Sequence, residues 1–143
     1  MVKLSNPLRL ENQLCFPLYA AAKEVVGKYK LYLDKIDLTY TQYIAMMVLW
    51  ERKAISVKEL GKRLYLDSGT LTPLLKRLES KGFIRRERSA EDERVVDAVI
   101  TPAGERLRGK AKRVPMQMVH CMPLSMKDMR MLYGLLYKLL GQR

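Results

Sequence analysis

The sequence predicts a mainly α-helical fold carrying a small β wing, and three features of residues 56–101 support that expectation. The first is a pair of capped helical patterns joined by a short turn. Ser56, with Glu59 three residues on, forms a capping box ahead of the apolar face Val57, Leu60 and Leu64. Asp67 and Ser68 are both good caps for a second helix, whose apolar positions are Leu71, Leu74, Leu75 and Leu78. The second feature is Gly82, placed where a left-handed helix end belongs, with Phe83 positioned to pack back on the helix. The third is a hairpin pattern: FIRRER, a polar turn SAEDE, then the alternating run VVDAVI. Two short helices, a tight turn and a basic hairpin make a winged helix-turn-helix.

The residue types on the second helix point to double-stranded DNA as the partner. Ser68, Gly69, Thr70, Thr72 and Pro73 are poor helix-interior choices, yet they cluster on its first turns. Short hydroxyl side chains and close backbone approach suit phosphate and base-edge contacts there. Lys76 and Arg77 continue the outer side, and Arg85, Arg86, Arg88 and Arg94 arm the hairpin. A helix so equipped lies in a DNA major groove. An ordinary solvated face explains the charges but not the grouping of poor helix formers.

Upstream, Asn6-Pro7 predicts a helix start, and the pattern from Leu8 onward stays helical to about Lys35. Leu10, Leu14, Leu18, Ala21, Val25 and Tyr29 form one broad stripe, long enough to require another helix from a second copy of the chain. Pro17 predicts a kink or break close to Cys15, because its ring lacks an amide and clashes with the carbonyl of Gln13. Asp34 to Leu38 reads as a connection. Thr39 and Gln42 cap a buried helix, YIAMMVLWE, with Trp50 in the core, and Ala54 links it to the Ser56 helix.

Beyond the wing, Thr101-Pro102 restarts a basic helix, TPAGERLRGKAKRVPMQMVHC, which Pro115 bends and Pro123 ends. Ser125 caps a last helix with an unbroken apolar stripe from Met126 through Met129, Leu132, Tyr133, Leu136, Leu139 and Leu140. It is expected to pair with the amino-terminal helix and with their symmetry mates. The expected division is therefore 1–38 for a dimerisation and sensor helix, 39–101 for the winged domain and 102–143 for further dimerisation helices.

Composition narrows the function classes. The net charge of +12 over 143 residues favours a polyanionic partner, but residues 1–55, 56–101 and 102–143 carry net +3, +2 and +7. The winged segment is thus not the most basic part; its cations are concentrated between Lys76 and Arg88. Two cysteines 106 positions apart and one histidine make no standard zinc site, and no cofactor is called for. One histidine also leaves little room for acid–base catalysis, so an enzyme is not expected. No run of 18 apolar residues suggests a membrane span, and no signal-peptide stretch precedes RLENQ, so a cytoplasmic location is expected.

The order of helices, the stretch LDSGTLTPLLKRLESKGFIRRERSAEDERVVDAVITPAGE and the flanking helices resemble the MarR (multiple-antibiotic-resistance regulator) family. The segment LENQLCFPLYAAAKEVVGKYK further resembles the organic-hydroperoxide-sensing repressors of that family. The resemblance implies a homodimeric repressor with Cys15 as the redox sensor. It implies that Tyr29 and Tyr40 reach this sulfur from the partner subunit. It assigns Ser68, Thr70, Thr72, Pro73 and Arg77 to the recognition helix, Arg94 to a minor groove, and Asp92 to orienting Arg94. Cys121 resembles the resolving cysteine of two-cysteine members.

A thiolate is what attacks a peroxide quickly, and hydrogen-bond donors favour that anion. Apolar Leu14, Phe16, Leu18 and Tyr19 would admit an organic hydroperoxide better than a polar oxidant. The sulfenic acid so formed condenses with Cys121 of the other subunit or with a small cellular thiol. Cys15 and Cys121 also fit as plain core residues, and a regulator gated by a phenolic or drug-like compound remains open at this point.

Overall fold

The structure is a computed structural model in which residues 6–141 are described. A short 3-10 turn at Leu10–Asn12 precedes α1, Cys15–Leu33. The helix therefore begins at Cys15 and not at Asn6-Pro7. Gln13 is extended (φ −92°, ψ 116°), which removes the clash its carbonyl would make with the Pro17 ring. Pro17 becomes the third helical residue, where the missing amide has no intrahelical acceptor to lose. The expected break near Cys15 is present, and it sets the helix start.

A second 3-10 turn and Asp37 in the left-handed region (φ 55°) lead to α2, Tyr40–Arg52. Its capping box is complete: Thr39 Oγ1 accepts from the Gln42 amide, and Gln42 Oε1 accepts from the Thr39 amide. Trp50 is buried, as expected, and donates its indole N–H to the Gly104 carbonyl at 2.8 Å. Ala54–Ser56 is a strand, β1, where the sequence suggested only a link. Three residues are too few to show a period; the strand exists through its pairing with a distant one.

Next come α3, Val57–Leu64, and α4, Ser68–Ser80, then β2, Ile84–Arg88, and β3, Val96–Ile100. The sheet order is β1-β3-β2, all antiparallel, with Ala54 opposite Val99 and Ile84 opposite Ile100. Ser56 Oγ accepts from the Glu59 amide, so the first half of the box caps α3, and Asp67 caps α4 by accepting from Thr70 at 2.8 Å. Gly82 (φ 78°) ends α4, with its amide on Glu79 O and the Phe83 amide on Leu78 O, the paired bonds of a Schellman end.

The core lies where α2, α3, α4 and the sheet meet, around Met46, Leu49, Leu60, Leu71, Leu75, Leu78 and Ile84. Lys81 ties the end of α4 to the turn before α2: its Nζ donates to Gln42 Oε1 at 3.0 Å and pairs with Asp37 Oδ1 at 3.3 Å.

The basic segment after the wing is two helices, α5, Pro102–Ala111, and α6, Val114–Cys121. Pro115 sits in the first turn of α6, so a helix break replaces the expected bend. The last helix, α7, Met126–Leu139, is capped by Ser125 and has no buried residue. Within the chain α6 packs along α1.

Candidate functional site

The outer face of α4 displays the residues its sequence singled out. Ser68, Thr70, Pro73, Lys76 and Arg77 are exposed, and Thr72 is half-buried. Pro73 lies inside the helix and leaves the Gly69 carbonyl without its usual donor four residues on. An open groove beside the start of α4 is lined by Lys58, Lys62, Tyr65 and Ser68, adding two lysines that sequence reasoning missed. Their helical spacing on α3 was visible, but nothing local marks them as neighbours of α4.

The hairpin tip points outward. The Arg94 side chain is 90% exposed, and Asp92 Oδ1 accepts from both the Arg94 amide (3.0 Å) and its Nε (3.2 Å). These bonds, the backbone one first, hold the Asp92 carboxyl below its ordinary range. Asp92 thus bonds both the backbone and the side chain of Arg94. Arg86 is arranged differently from a phosphate-binding side chain: its amide donates to Glu79 Oε2 at 2.8 Å and its Nη2 to Glu79 Oε1 at 3.1 Å. It fastens β2 to α4 and is turned inward.

Cys15 is exposed and is the first residue of α1, at the helix end where the backbone dipole favours negative charge. Tyr29 and Tyr40 lie together near the other end of that helix, ring centres 4.8 Å apart, with Tyr43 at 5.8 Å from Tyr29. Burial raises both phenols above their ordinary value and pushes Tyr43 up to about 12, so all three stay protonated at neutral pH. Among the described residues neither the Tyr29 nor the Tyr40 hydroxyl has a hydrogen-bond partner. Fourteen residues of helix place Tyr29 ~21 Å along the axis from Cys15, so these tyrosines cannot serve the thiol of their own chain.

Cys121, the last residue of α6, is also exposed, and its Sγ lies 3.0 Å from the Tyr32 hydroxyl. That bond, then burial, raises the Tyr32 phenol. Tyr32 was missed by the sequence reading. A contact between residues 89 positions apart leaves no local signal. Cys15 and Cys121 sit at opposite ends of α1 within one chain, since Tyr32 is ~25 Å from Cys15 along the helix. A bond between them within the chain is excluded by the ~7 Å limit on Cα separation. His120 turns back on its own helix, with Nδ1 2.7 Å from the Met116 carbonyl, so it does not face the Cys121 sulfur through that nitrogen.

Among the described residues no cluster of three or more His, Cys, Asp or Glu could hold a metal ion, and no helix is long and apolar enough to cross a membrane.

Three comparisons bear on these surfaces. The pattern that defines the MarR family matches residues 38–96. The organic hydroperoxide resistance transcriptional regulator of Bacillus subtilis is 48% identical over 133 residues, covering 93% of this chain and 90% of that one. Reduced AbfR bound to DNA has a TM-score of 0.77 at 31% identity, covering 94% of this chain and 93% of that one. The disulfide form of AbfR, a protein of Staphylococcus epidermidis, has a TM-score of 0.65 at 33% identity, with 93% of each chain covered.

Proposed function

The chain belongs to the MarR family, whose members among its relatives are transcriptional regulators and not enzymes, and from that premise we propose that it is a homodimeric, peroxide-sensing repressor. It holds operator DNA while Cys15 is reduced and releases it when an organic hydroperoxide oxidises that thiol. The observation that carries this reading is the 48% identity, across nearly the whole chain, to a regulator of organic hydroperoxide resistance. The exposed thiol at the amino end of α1 gives the reading its chemistry.

The Cys15 thiolate attacks the hydroperoxide, O–O breaks, the alcohol leaves with a proton, and a sulfenic acid remains. Tyr29 and Tyr40 of the partner subunit donate hydrogen bonds to the thiolate. Their protonated, unpartnered hydroxyls support that role, and so does their distance from the thiol of their own chain. Cys121 of the partner subunit then displaces hydroxide as water, forming a disulfide that joins the two subunits. Ser68, Thr70, Thr72, Pro73, Lys76 and Arg77 face the major groove, and Arg94, steadied by Asp92, faces the minor groove. The two recognition helices of a dimer must sit about one DNA turn apart, ~34 Å, so a modest shift of the dimer helices ends binding. At similar identities, the fold is nearer to DNA-bound AbfR, reduced (TM-score 0.77) or overoxidized (0.76), than to its disulfide form (0.65), which supports a DNA-competent fold.

The test uses a duplex selected from a random pool by the reduced protein. Cumene hydroperoxide is expected to weaken binding at least tenfold for the parent and not at all for Cys15→Ser. Release of DNA by Cys15→Ser under the same treatment would end the proposal. Separately, Tyr29→Phe and Tyr40→Phe should fold and bind DNA as the parent does, because core volume barely changes. Their Cys15 should react more slowly with hydroperoxide at neutral pH, measured by loss of free thiol; parent rates in both would leave the tyrosines as packing groups only.

A further inference from the structure

We propose that Tyr32 is a positioning residue for Cys121: its hydroxyl holds the thiol against α1 of the same chain in the reduced protein, and breaking that bond sets how fast Cys121 engages an oxidised Cys15. The inference rests on the sensor reading above and adds the control of its second step.

Two bonds fix the end of α6 to one face of α1. The Tyr32 hydroxyl is 3.0 Å from Cys121 Sγ, and Lys28 Nζ donates to the Cys121 carbonyl at 3.4 Å. Lys28 and Tyr32 are four residues apart, hence neighbours on the same side of the helix. The anchored residue is itself at a boundary. Cys121 ends α6, Met122 is extended (φ −82°, ψ 123°), and Pro123 forbids the helix from resuming. A thiol on such an end moves once its side-chain bond is released, whereas one in mid-helix does not. Burial does not hold it, for Cys121 is exposed and Tyr32 half-buried. The hydroxyl is therefore the specific restraint.

The phenol is shifted upward chiefly by this bond, so it keeps its proton at neutral pH and is able to donate to sulfur. The sulfur must leave Tyr32 to reach Cys15 of the partner subunit, where the thiol and the sulfenic acid give a disulfide and one water. Until then the hydroxyl keeps the second thiol against α1 of its own chain, about one helical turn from Tyr29. If Tyr32 only packed, its hydroxyl would be dispensable to the chemistry of Cys121.

The first measurement uses full-length Cys15→Ser, so that Cys121 is the sole thiol, and follows its alkylation by iodoacetamide from pH 7 to 9.5. A rate that has levelled off with pH reads release of the sulfur and not its ionisation. Adding Tyr32→Phe should raise that limiting rate by roughly 2–10-fold, the usual weight of one hydrogen bond. An equal or lower limiting rate overturns the proposal.

The second measurement places Tyr32→Phe in the otherwise unaltered protein and adds one equivalent of cumene hydroperoxide. The covalent dimer should appear sooner on a non-reducing gel, while the Cys15 thiol is consumed at the parent rate. A covalent dimer formed no faster than in the parent overturns the proposal. If the parent forms none, the resolving role of Cys121 fails, and the alkylation rates still decide whether the hydroxyl holds the sulfur.

Discussion

Gly104→Ala is expected to lower the melting temperature of the reduced protein by on the order of 10 °C. A Cβ at this position lies 2.2 Å from the Phe83 carbonyl oxygen and 2.9 Å from Ile100 Cγ1. The nearer obstacle is backbone, in the turn that ends α4, where the same Phe83 oxygen accepts the Thr101 amide at 3.1 Å. Gly104 cannot retreat either. Its amide donates to Thr101 Oγ1, and its carbonyl accepts the indole of Trp50. Overpacking of this kind costs about 1–3 kcal/mol, and more where backbone must shift, with each kcal/mol moving a chain of this size by roughly 3–4 °C. Thermal unfolding followed by circular dichroism checks it; an unchanged melting temperature would show that the α2–α5 junction yields freely.

Arg94→Ala and Arg86→Ala should separate cleanly, although both remove an arginine from the same hairpin. Arg94 is free of the core and held only by Asp92, so its loss should leave folding intact and weaken DNA binding by roughly 10–100-fold. The loss should be greatest where A·T-rich flanks narrow the minor groove. Arg86 instead serves Glu79, whose carboxyl its side chain and amide hold below the ordinary range. Arg86→Ala should therefore lower the melting temperature and affect DNA only through a loosened wing. Fluorescence anisotropy at several salt concentrations, alongside thermal melts, reads both effects. An Arg94→Ala protein that binds as tightly as the parent would remove the wing from the interface.

These two arginines show where the sequence was legible and where it was not. The Thr39–Gln42 box, the Asp67 cap, the Gly82 helix end and the leucine positions of α4 depend on neighbours within four residues and formed as read, whereas the Ser56–Glu59 box formed only by its Ser56 half. Arg86 and Arg94 look alike in sequence because what distinguishes them is Glu79, seven residues before Arg86 and on another element. β1 was missed for the same reason, since its pairing with β3 spans more than 40 positions. The start of α1 was misplaced because the apolar stripe runs unbroken through Gln13 while the backbone does not. Pro17 marked that break; its consequence, Cys15 as first residue of a helix, needed the structure. The thiol chemistry was half legible: both cysteines were singled out, but the hydroxyl beside Cys121 was not.

The unburied apolar face of α7 makes the protein's stability a matter of mass action. A helix of 14 residues is marginal in water by itself, and α7 exposes Leu132, Tyr133, Leu135 and Leu139. Whatever covers that face therefore contributes to its order, and for a second copy of the chain the contribution grows with protomer concentration. Wherever the protomer concentration is near the dissociation constant of such a pair, doubling it raises the amount of dimer more than twofold. Dilution would in that regime unpair the chains with no thiol chemistry involved.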